Sequence, residues 1–458
     1  MVGHGRGEEL VSREGLFENL PEQAAPQGEG QSRPRLRQPV RDQVELRAVD
    51  LDSLIAGEDP VRVIWAYVER LELDALYEPI KAREDTPGHP PIDPRLLLAL
   101  WLYACSQGVG SARALARLCG SHDTYRWLCG GVSVNYHTLS DFRTAHPALL
   151  EELLTQNVAA LLAAGVIDLE QLAQDGVRIR AGAGAASYRR RATLERHLDD
   201  ARALVARLRR ELDDDPEASS RRQRAARERA AREREARVEQ ALTRMAELEA
   251  ERKRREKTNK KEVDKQAKPR ASTTDAETRV MKMADGGFRP AYNVQLASAA
   301  QAQVIVGVDI DTSGSDRGLL RPMLNQIERR YGVAPARYLA DGGFTKNEDL
   351  DWAFDPDHGG TRIYAPAVTN KHGTDPYAPR PKDRPGVADW RRRMGSDDGQ
   401  AVYRERTPAE CINARARQWN LRQFTVRGRR KVGCIVRLFA LANNILQGHR
   451  LMRLAAAA

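Results

Sequence analysis

The sequence contains no run of about 18 apolar residues and so offers no transmembrane helix. Its opening residues, MVGHGRGEEL, lack the apolar core of a signal peptide, and no export is expected. Cysteine is scarce. The five present (Cys105, Cys119, Cys129, Cys411 and Cys434) are odd in number and in no metal-like spacing, which argues against a disulfide framework and against a zinc site. Idle thiols in a reducing compartment fit better, so a cytoplasmic protein with no membrane partner is the expectation. What the sequence does have is charge. Asp, Glu, Lys and Arg make up 30% of its 458 residues, against a hydrophobic share of 41%, and this length suits two or three globular domains.

The net charge of +10 invites a nucleic-acid partner, but it is unevenly placed. Residues 191–270 hold 25 Lys/Arg against 18 Asp/Glu, and the rest of the chain 49 against 46. The total therefore describes one segment more than the whole.

Residues 1–45 are rich in Gly, Pro, Gln, Glu and Arg and read as a disordered arm. Residues 46–166 read as an all-helical domain. Asp93-Pro94 opens one helix with an N-cap and a Pro in the first turn, and Leu96, Leu97, Leu100 and Trp101 supply its apolar face. Gly108 to Gly110 breaks it, Ser111 caps the next, and further helices are expected over Tyr125–Leu128 and from Pro147 to about Ala164. Thr138 and Asp141 have capping-box spacing. Short helices joined by glycine are the raw material of a helix-turn-helix, although plain helical packing fits equally well.

From about residue 168 the period changes. A strand lies within Leu169–Ala181, with Asp175 at its edge. Two β-rich runs follow at Tyr292–Ala297 and Val304–Ile310, then a helix over about 316–330 and a strand at Arg337–Ala340 that ends at Asp341. A strand at Arg362–Ala365 and helices at about 408–418 and 434–451 close an α/β domain with a mixed sheet, residues 167–192 and 271–451. Its interruption, residues 193–270, is helical. Leu194, Leu198, Ala201, Val205, Leu208 and Leu212 form a heptad seam, and Val238, Ala241, Met245 and Leu248 follow similar spacing. With the acidic turn at Asp213–Pro216 between them, these runs suggest an antiparallel coiled-coil hairpin, and Arg252–Lys268 reads as a basic, weakly structured return.

Three acids occupy telling positions. Asp175 and Asp341 stand at strand edges, where ligand sites on open α/β sheets form, and each is followed by glycine. Taken singly, Asp-Gly is also a common turn pair. Glu410 follows Thr407-Pro408-Ala409, which by itself reads as a capping box with Thr407 as N-cap. Their combination carries more weight.

The segment Tyr403-Arg404-Glu405-Arg406-Thr407-Pro408-Ala409-Glu410, followed by Arg417, fits Y-x(2)-R-x(3)-E-x(6)-K except that Arg417 replaces the Lys. It resembles the surroundings of the catalytic glutamate in bacterial insertion-sequence transposases with a DDE site. Gln174-Asp175-Gly176, Tyr292-Asn293-Val294-Gln295 and Ala340-Asp341-Gly342-Gly343-Phe344 are similar to that family too. So are Gly110-Ser111-Ala112-Arg113 and His137-Thr138-Leu139-Ser140-Asp141-Phe142-Arg143. The likeness spans about residues 45–450.

The resemblance implies a ribonuclease-H-like mixed-sheet catalytic domain, here interrupted by the coiled-coil hairpin and preceded by the helical domain. It implies Asp175, Asp341 and Glu410 as catalytic carboxylates and ligands of Mg²⁺ or Mn²⁺, two ions in number. Three gathered carboxylates repel one another, and divalent cations with a preference for oxygen relieve this. Water would attack first to free a 3′-hydroxyl at the element end, and that hydroxyl would then attack target DNA. Arg417 and Arg406 would clamp phosphates, Tyr403 would stack on the nucleic acid, and the basic cluster of Arg427, Arg429, Arg430 and Lys431 suits backbone contacts. The expected partner is double-stranded DNA, both element ends and target, bound at the nucleoid, with a homodimer holding paired ends. Two other readings stay open: a DNA-binding regulator, which leaves the ordered acids unexplained, and a hydrolytic nuclease without strand transfer.

Overall fold

A computed structural model describes residues 44, 48, 50–82, 90–214, 218–264, 268–367 and 375–457. The arm read over residues 1–45 lies outside these, save Val44. The chain from Asp50 onward forms one compact unit.

That unit begins with helices. In order they are α1 (Pro60–Glu69), α2 (Asp74–Tyr77), α3 (Pro94–Ser106), α4 (Ala112–Ser121), α5 (Asp123–Cys129), α6 (Tyr136–Ala145) and α7 (Pro147–Ala163). Asp59, Asp93 and Ser111 each accept a backbone N–H at a helix start, as cap residues do. The cap of α6 is Asn135, whose side chain accepts from Thr138 N. Thr138 and Asp141 therefore lie inside the helix, and the cap read at Thr138 lies one turn earlier, at Asn135. α3 is the centre of this layer, buried on almost every face. The Trp101 indole donates to Leu139 O at 2.9 Å and ties α6 to it.

The sheet begins with β1 (Gln171–Arg180). After β2 (Tyr188–Arg189) come two long helices, α8 (Arg191–Asp214) and α9 (Ala218–Asp264). Leu194, Ala201, Val205 and Leu208 are buried against Ala231, Val238, Ala241 and Met245. The pairs Arg191–Glu249, Arg202–Glu239 and Arg209–Glu228 fix an antiparallel direction. The basic return is ordered further than its charge suggests. α9 stays helical through Asp264, because Arg, Lys and Glu are good helix formers and Arg252–Glu256 and Glu251–Arg255 add support one turn apart. Residues 215–217 of the acidic turn and 265–267 lie outside the described residues.

The chain then returns through β3 (Ala271–Ser272), which pairs with β2, into β4 (Arg279–Lys282), β5 (Phe288–Ala299) and β6 (Val304–Asp311). α10 (Leu320–Tyr331), β7 (Arg337–Leu339), α11 (Asn347–Phe354) and β8 (Arg362–Tyr364) follow. Four helices close the chain: α12 (Pro385–Met394), α13 (Asp397–Arg404), α14 (Thr407–Gln418) and α15 (Arg429–Ala457). The main sheet runs β4-β5-β1-β7-β8, with β6 paired to the same strand as β4. β1 is antiparallel to β5 and parallel to β7, so the sheet is mixed, as the alternation of strands and helices suggests.

α15 joins the two halves. Cys434, Leu438, Leu441 and Ile445 complete the helical core, while Val432, Val436 and Phe439 complete the core over β1 and β5. Its buried amides also close the open side of β6. Asn444 donates to Ile305 O at 2.7 Å and accepts from Ile305 N at 2.8 Å, and Gln447 donates to Ala302 O. Buried amides without such partners would cost stability, so these polar residues set the register of helix on sheet.

Candidate active site

The register of β1 and β7 decides where the first two acids go. Their parallel pairing ends at Ala173 and Leu339. Asp175 and Asp341 each lie two residues beyond that last pair. Side chains alternate along a strand, so both carboxylates leave the same face of the sheet from adjacent chains. Asp175 is not at a strand edge as its sequence context suggests. It sits in the middle of β1, paired with Leu296 of β5 on one side, at the point where β7 turns away on the other. Asp341 turns into a short helical turn, and its carboxylate accepts from Gly343 N at 2.7 Å.

α14 covers this face. Ile412 and Ala416 pack with Val177 and Ile179 of β1 in one core. That leaves Glu410 and Asn413, one turn apart, on the helix surface toward Asp175. Asn413 Nδ2 donates to Asp175 Oδ2 at 2.7 Å. Arg406, just before the helix, donates to Glu410 Oε1 at 2.6 Å and lies 3.7 Å from Asp175 Oδ2. Its guanidinium is only 13% exposed, and Nη1 is buried without a hydrogen-bond partner. The local capping box therefore does not form. α14 starts at Thr407, whose hydroxyl donates to Arg404 O, and Glu410 reaches Arg406 rather than a backbone N–H.

Burial raises the Asp175 carboxyl to about 6. Arg406 and the Gly176 N–H pull it down, and the charges of Asp341 and Glu410 push it up. All three acids thus share one electrostatic field. As the side chains stand, no three acidic, His or Cys groups among the described residues could hold a metal ion. The cation now between Asp175 and Glu410 is Arg406. Carboxylate and amide oxygens are the donors that hard divalent cations take, and a guanidinium stands where positive charge is needed. In donor chemistry and charge the cluster fits such an ion once Arg406 turns aside.

The opposite face of β1 is held by a buried polar chain. The Tyr338 hydroxyl donates to Gln174, Gln174 to Gln295, and Gln295 and Asn293 both donate to Asp316 Oδ1, at 2.7 to 2.9 Å. A Cβ on Gly176 would come within 2.6 Å of both Asp316 Oδ1 and Gln295 Nε2, which is why glycine follows Asp175. Gln174, Asn293, Gln295 and Asn413 were not singled out from the sequence as site residues. The signal available was polar side chains in otherwise apolar strands, and for Asn413 its place three residues after Glu410.

The candidate DNA contacts are more spread. Arg417 is exposed two turns along α14 from Glu410. Tyr403 is half-buried, with the Arg406 guanidinium carbon 5.8 Å from its ring centre. Arg429, Arg430 and Lys431 form the exposed first turn of α15, and Arg430 donates to Ala145 O at the end of α6. Lys431 and Arg427 line a groove of about 680 Å³ whose other wall is Ser140, Asp141 and Thr144 of α6. Arg143 fastens that wall by donating to Gly110 O at 2.7 Å and to Thr425 Oγ1. The two helical segments that looked family-like in sequence therefore meet at one joint. No helix among the described residues is long and apolar enough to cross a membrane.

No curated protein and no solved structure matches the chain significantly. Two protein families do. Residues 49–145 match a transposase domain (DUF772), which covers α1 to α6, and residues 263–445 match the transposase DDE domain. The second match takes in Asp341 and Glu410 and begins in the last turn of α9, so β1 and Asp175 lie outside it. Together the matches span well over half of the chain, in the order of its helical layer and its sheet, and the protein belongs to the DDE transposases of the insertion-sequence type, metal-dependent enzymes that cut DNA.

Proposed function

We propose that the protein cleaves the ends of an insertion sequence and joins the freed 3′-hydroxyl to target DNA at one site, with Asp175, Asp341 and Glu410 as its catalytic carboxylates. The reading rests above all on Asp175 and Asp341 lying two residues past the last β1–β7 pair, under Glu410 of α14. It takes the sheet as a ribonuclease-H-like catalytic domain and α8–α9 as a coiled-coil hairpin inserted into it.

Two ions of Mg²⁺ or Mn²⁺ on these acids would polarise the attacking and leaving oxygens of an in-line displacement. The chain's own residues do the rest. Asn413 holds one oxygen of Asp175 and fixes the direction of the other. Arg406 neutralises Asp175 and Glu410 until DNA and metal arrive, and is then free for a phosphate. Arg417 grips a phosphate with its planar fork, a stronger geometry than the point charge of Lys. Arg429, Arg430 and Lys431 hold the backbone further along, where the N-terminus of α15 also favours negative charge. A homodimer would hold two ends together, acting in the cytoplasm on nucleoid DNA.

The test is Mg²⁺-dependent nicking of DNA that carries the repeats flanking the gene, followed by joining of the cut end to a second DNA. Glu410→Gln should lose both reactions and keep DNA binding. Intact nicking in that variant would remove Glu410 from the site, and nicking without joining in the unmodified protein would make it a hydrolytic nuclease.

A further inference from the structure

The charge excess of the inserted segment is concentrated at its end. Residues 191–251 carry 15 Lys/Arg against 15 Asp/Glu, whereas residues 252–270 carry 10 against 3. The fold brings part of this stretch back against the sheet. A groove of about 620 Å³ opens between α9, the return segment and the edge strand β4, lined by Arg252, Arg255, Lys268, Arg270 and Arg279 with Glu251 as its one acid. Glu251 is already shared by Arg255 and Arg279. Lys268 and Arg270 are exposed and pair with no acid among the described residues. Leu248 and Val280 give the groove an apolar lining, and Val280 is 46% exposed.

We propose that this groove is a second DNA contact, separate from the catalytic centre, which takes the phosphodiester backbone of the bound duplex. The inference rests on the reading of the protein as a transposase acting on DNA. Cations spread over three chain segments suit a polyanion better than a single small anion. A solvated charged helix would also spread its arginines around its axis, whereas Arg252 and Arg255, three residues apart, share the face turned to β4. β4 lies two strand spacings, about 10 Å, across the sheet from β1, and Asp175 stands five residues, about 17 Å, along β1 from the row of Arg279, Ala291 and Arg180. Groove and catalytic centre are thus about 20 Å apart, less than one turn of a duplex. The long helices then do more than lengthen the molecule: beyond the C-terminal end of α9, Lys268 and Arg270 bring positive charge to the sheet edge.

The experiment uses the full chain and a fluorescent mixed-sequence duplex long enough to span groove and catalytic centre, with binding followed by anisotropy across a salt series. Lys268→Glu with Arg270→Glu should weaken binding and make the slope of log K against log salt shallower by about 1.8, the value for two lost phosphate contacts. Arg210→Glu with Arg229→Glu changes the same net charge on exposed faces of α8 and α9, away from the groove, and should leave the slope unchanged. Equal losses in both variants would mean general attraction and overturn the groove, as would wild-type binding by the Lys268/Arg270 variant. A Lys268→Gln, Arg270→Gln pair, which adds no negative charge, should shift the slope in the same direction. Failure of the unmodified chain to bind any duplex would instead sink the DNA reading itself.

Discussion

Replacing Asp175 by Asn should stabilise the metal-free protein, although it removes a residue placed at the catalytic centre. The folded carboxyl sits at about 6, raised chiefly by burial, against an ordinary value of 3.8. A raised carboxyl means that the folded chain binds the proton more tightly than the unfolded one. Its contribution is thus fully present below about pH 4 and is lost as pH rises through about 6. The difference of about two units corresponds to about 3 kcal/mol of instability from the ionised form near neutrality. Asn keeps the shape without the charge. Its oxygen can still accept from Asn413, but Arg406 loses one of its two acids and the Gly176 N–H loses its acceptor, so part of the gain is given back. For a chain of this length about 3 °C in Tm is the upper limit. Thermal unfolding by circular dichroism in EDTA reads it. The two proteins should melt together near pH 4, and the variant should pull ahead as pH climbs to about 7. Adding Mg²⁺ should raise the Tm of the unmodified chain and leave the variant nearly still. A variant less stable than the parent at neutral pH, or a gap that does not change between about pH 4 and 7, would refute the burial argument.

Two neighbours carry related expectations. Arg406→Gln removes the cation that holds Asp175 down, so the pH midpoint of Mn²⁺ binding, followed by electron paramagnetic resonance, should move up. Above that midpoint Mn²⁺ should bind about tenfold tighter, because a charge 3.7 Å away no longer competes for the same oxygens; weaker binding there would show that Arg406 supports the ion rather than displacing it. Asn413→Leu leaves Asp175 Oδ2 without its donor and should weaken Mn²⁺ binding by about 10- to 100-fold, as loss of a ligand's supporting hydrogen bond does. Unchanged affinity would reduce Asn413 to packing.

Much of the scaffold was legible because its signals are local. Asp93-Pro94 and Ser111 start helices where they should, and the apolar alternation around Val177 and Ile179 marks β1. The short elements escaped, among them β4, α11, α12 and α13, whose four to ten residues are too few for a period to stand out. The candidate site was legible only in outline. Glu410 was singled out through its spacing from Tyr403, Arg406 and Arg417, and Asp341 through the strand before it. No local pattern could show that Asp175 and Asp341 are equivalent positions on paired strands, since that depends on a register between residues 166 apart in the sequence. Nor could it show which cations face inward. Arg406 and Arg417 look alike in the motif, yet one is 13% exposed and paired while the other is open to solvent.

That difference bears on how such a site survives without metal. Two carboxylates held near one another in a half-buried cleft repel, and burial penalises each charge as well. A chain that only gathered acids would be least stable in the state in which it must fold. Arg406 resolves this because it belongs to the break between α13 and α14, where it can reach back to Glu410 and across to Asp175 without distorting either helix. The ion pairs it makes are few and one of its nitrogens stays unsatisfied, so they are strong enough to quiet the acids and weak enough to yield to a divalent charge. An arginine read from the sequence as a phosphate clamp is thus, in the folded chain, first the cation that pairs with Asp175 and Glu410, and on the proposed reading its release would expose both the acids and a guanidinium for the DNA backbone.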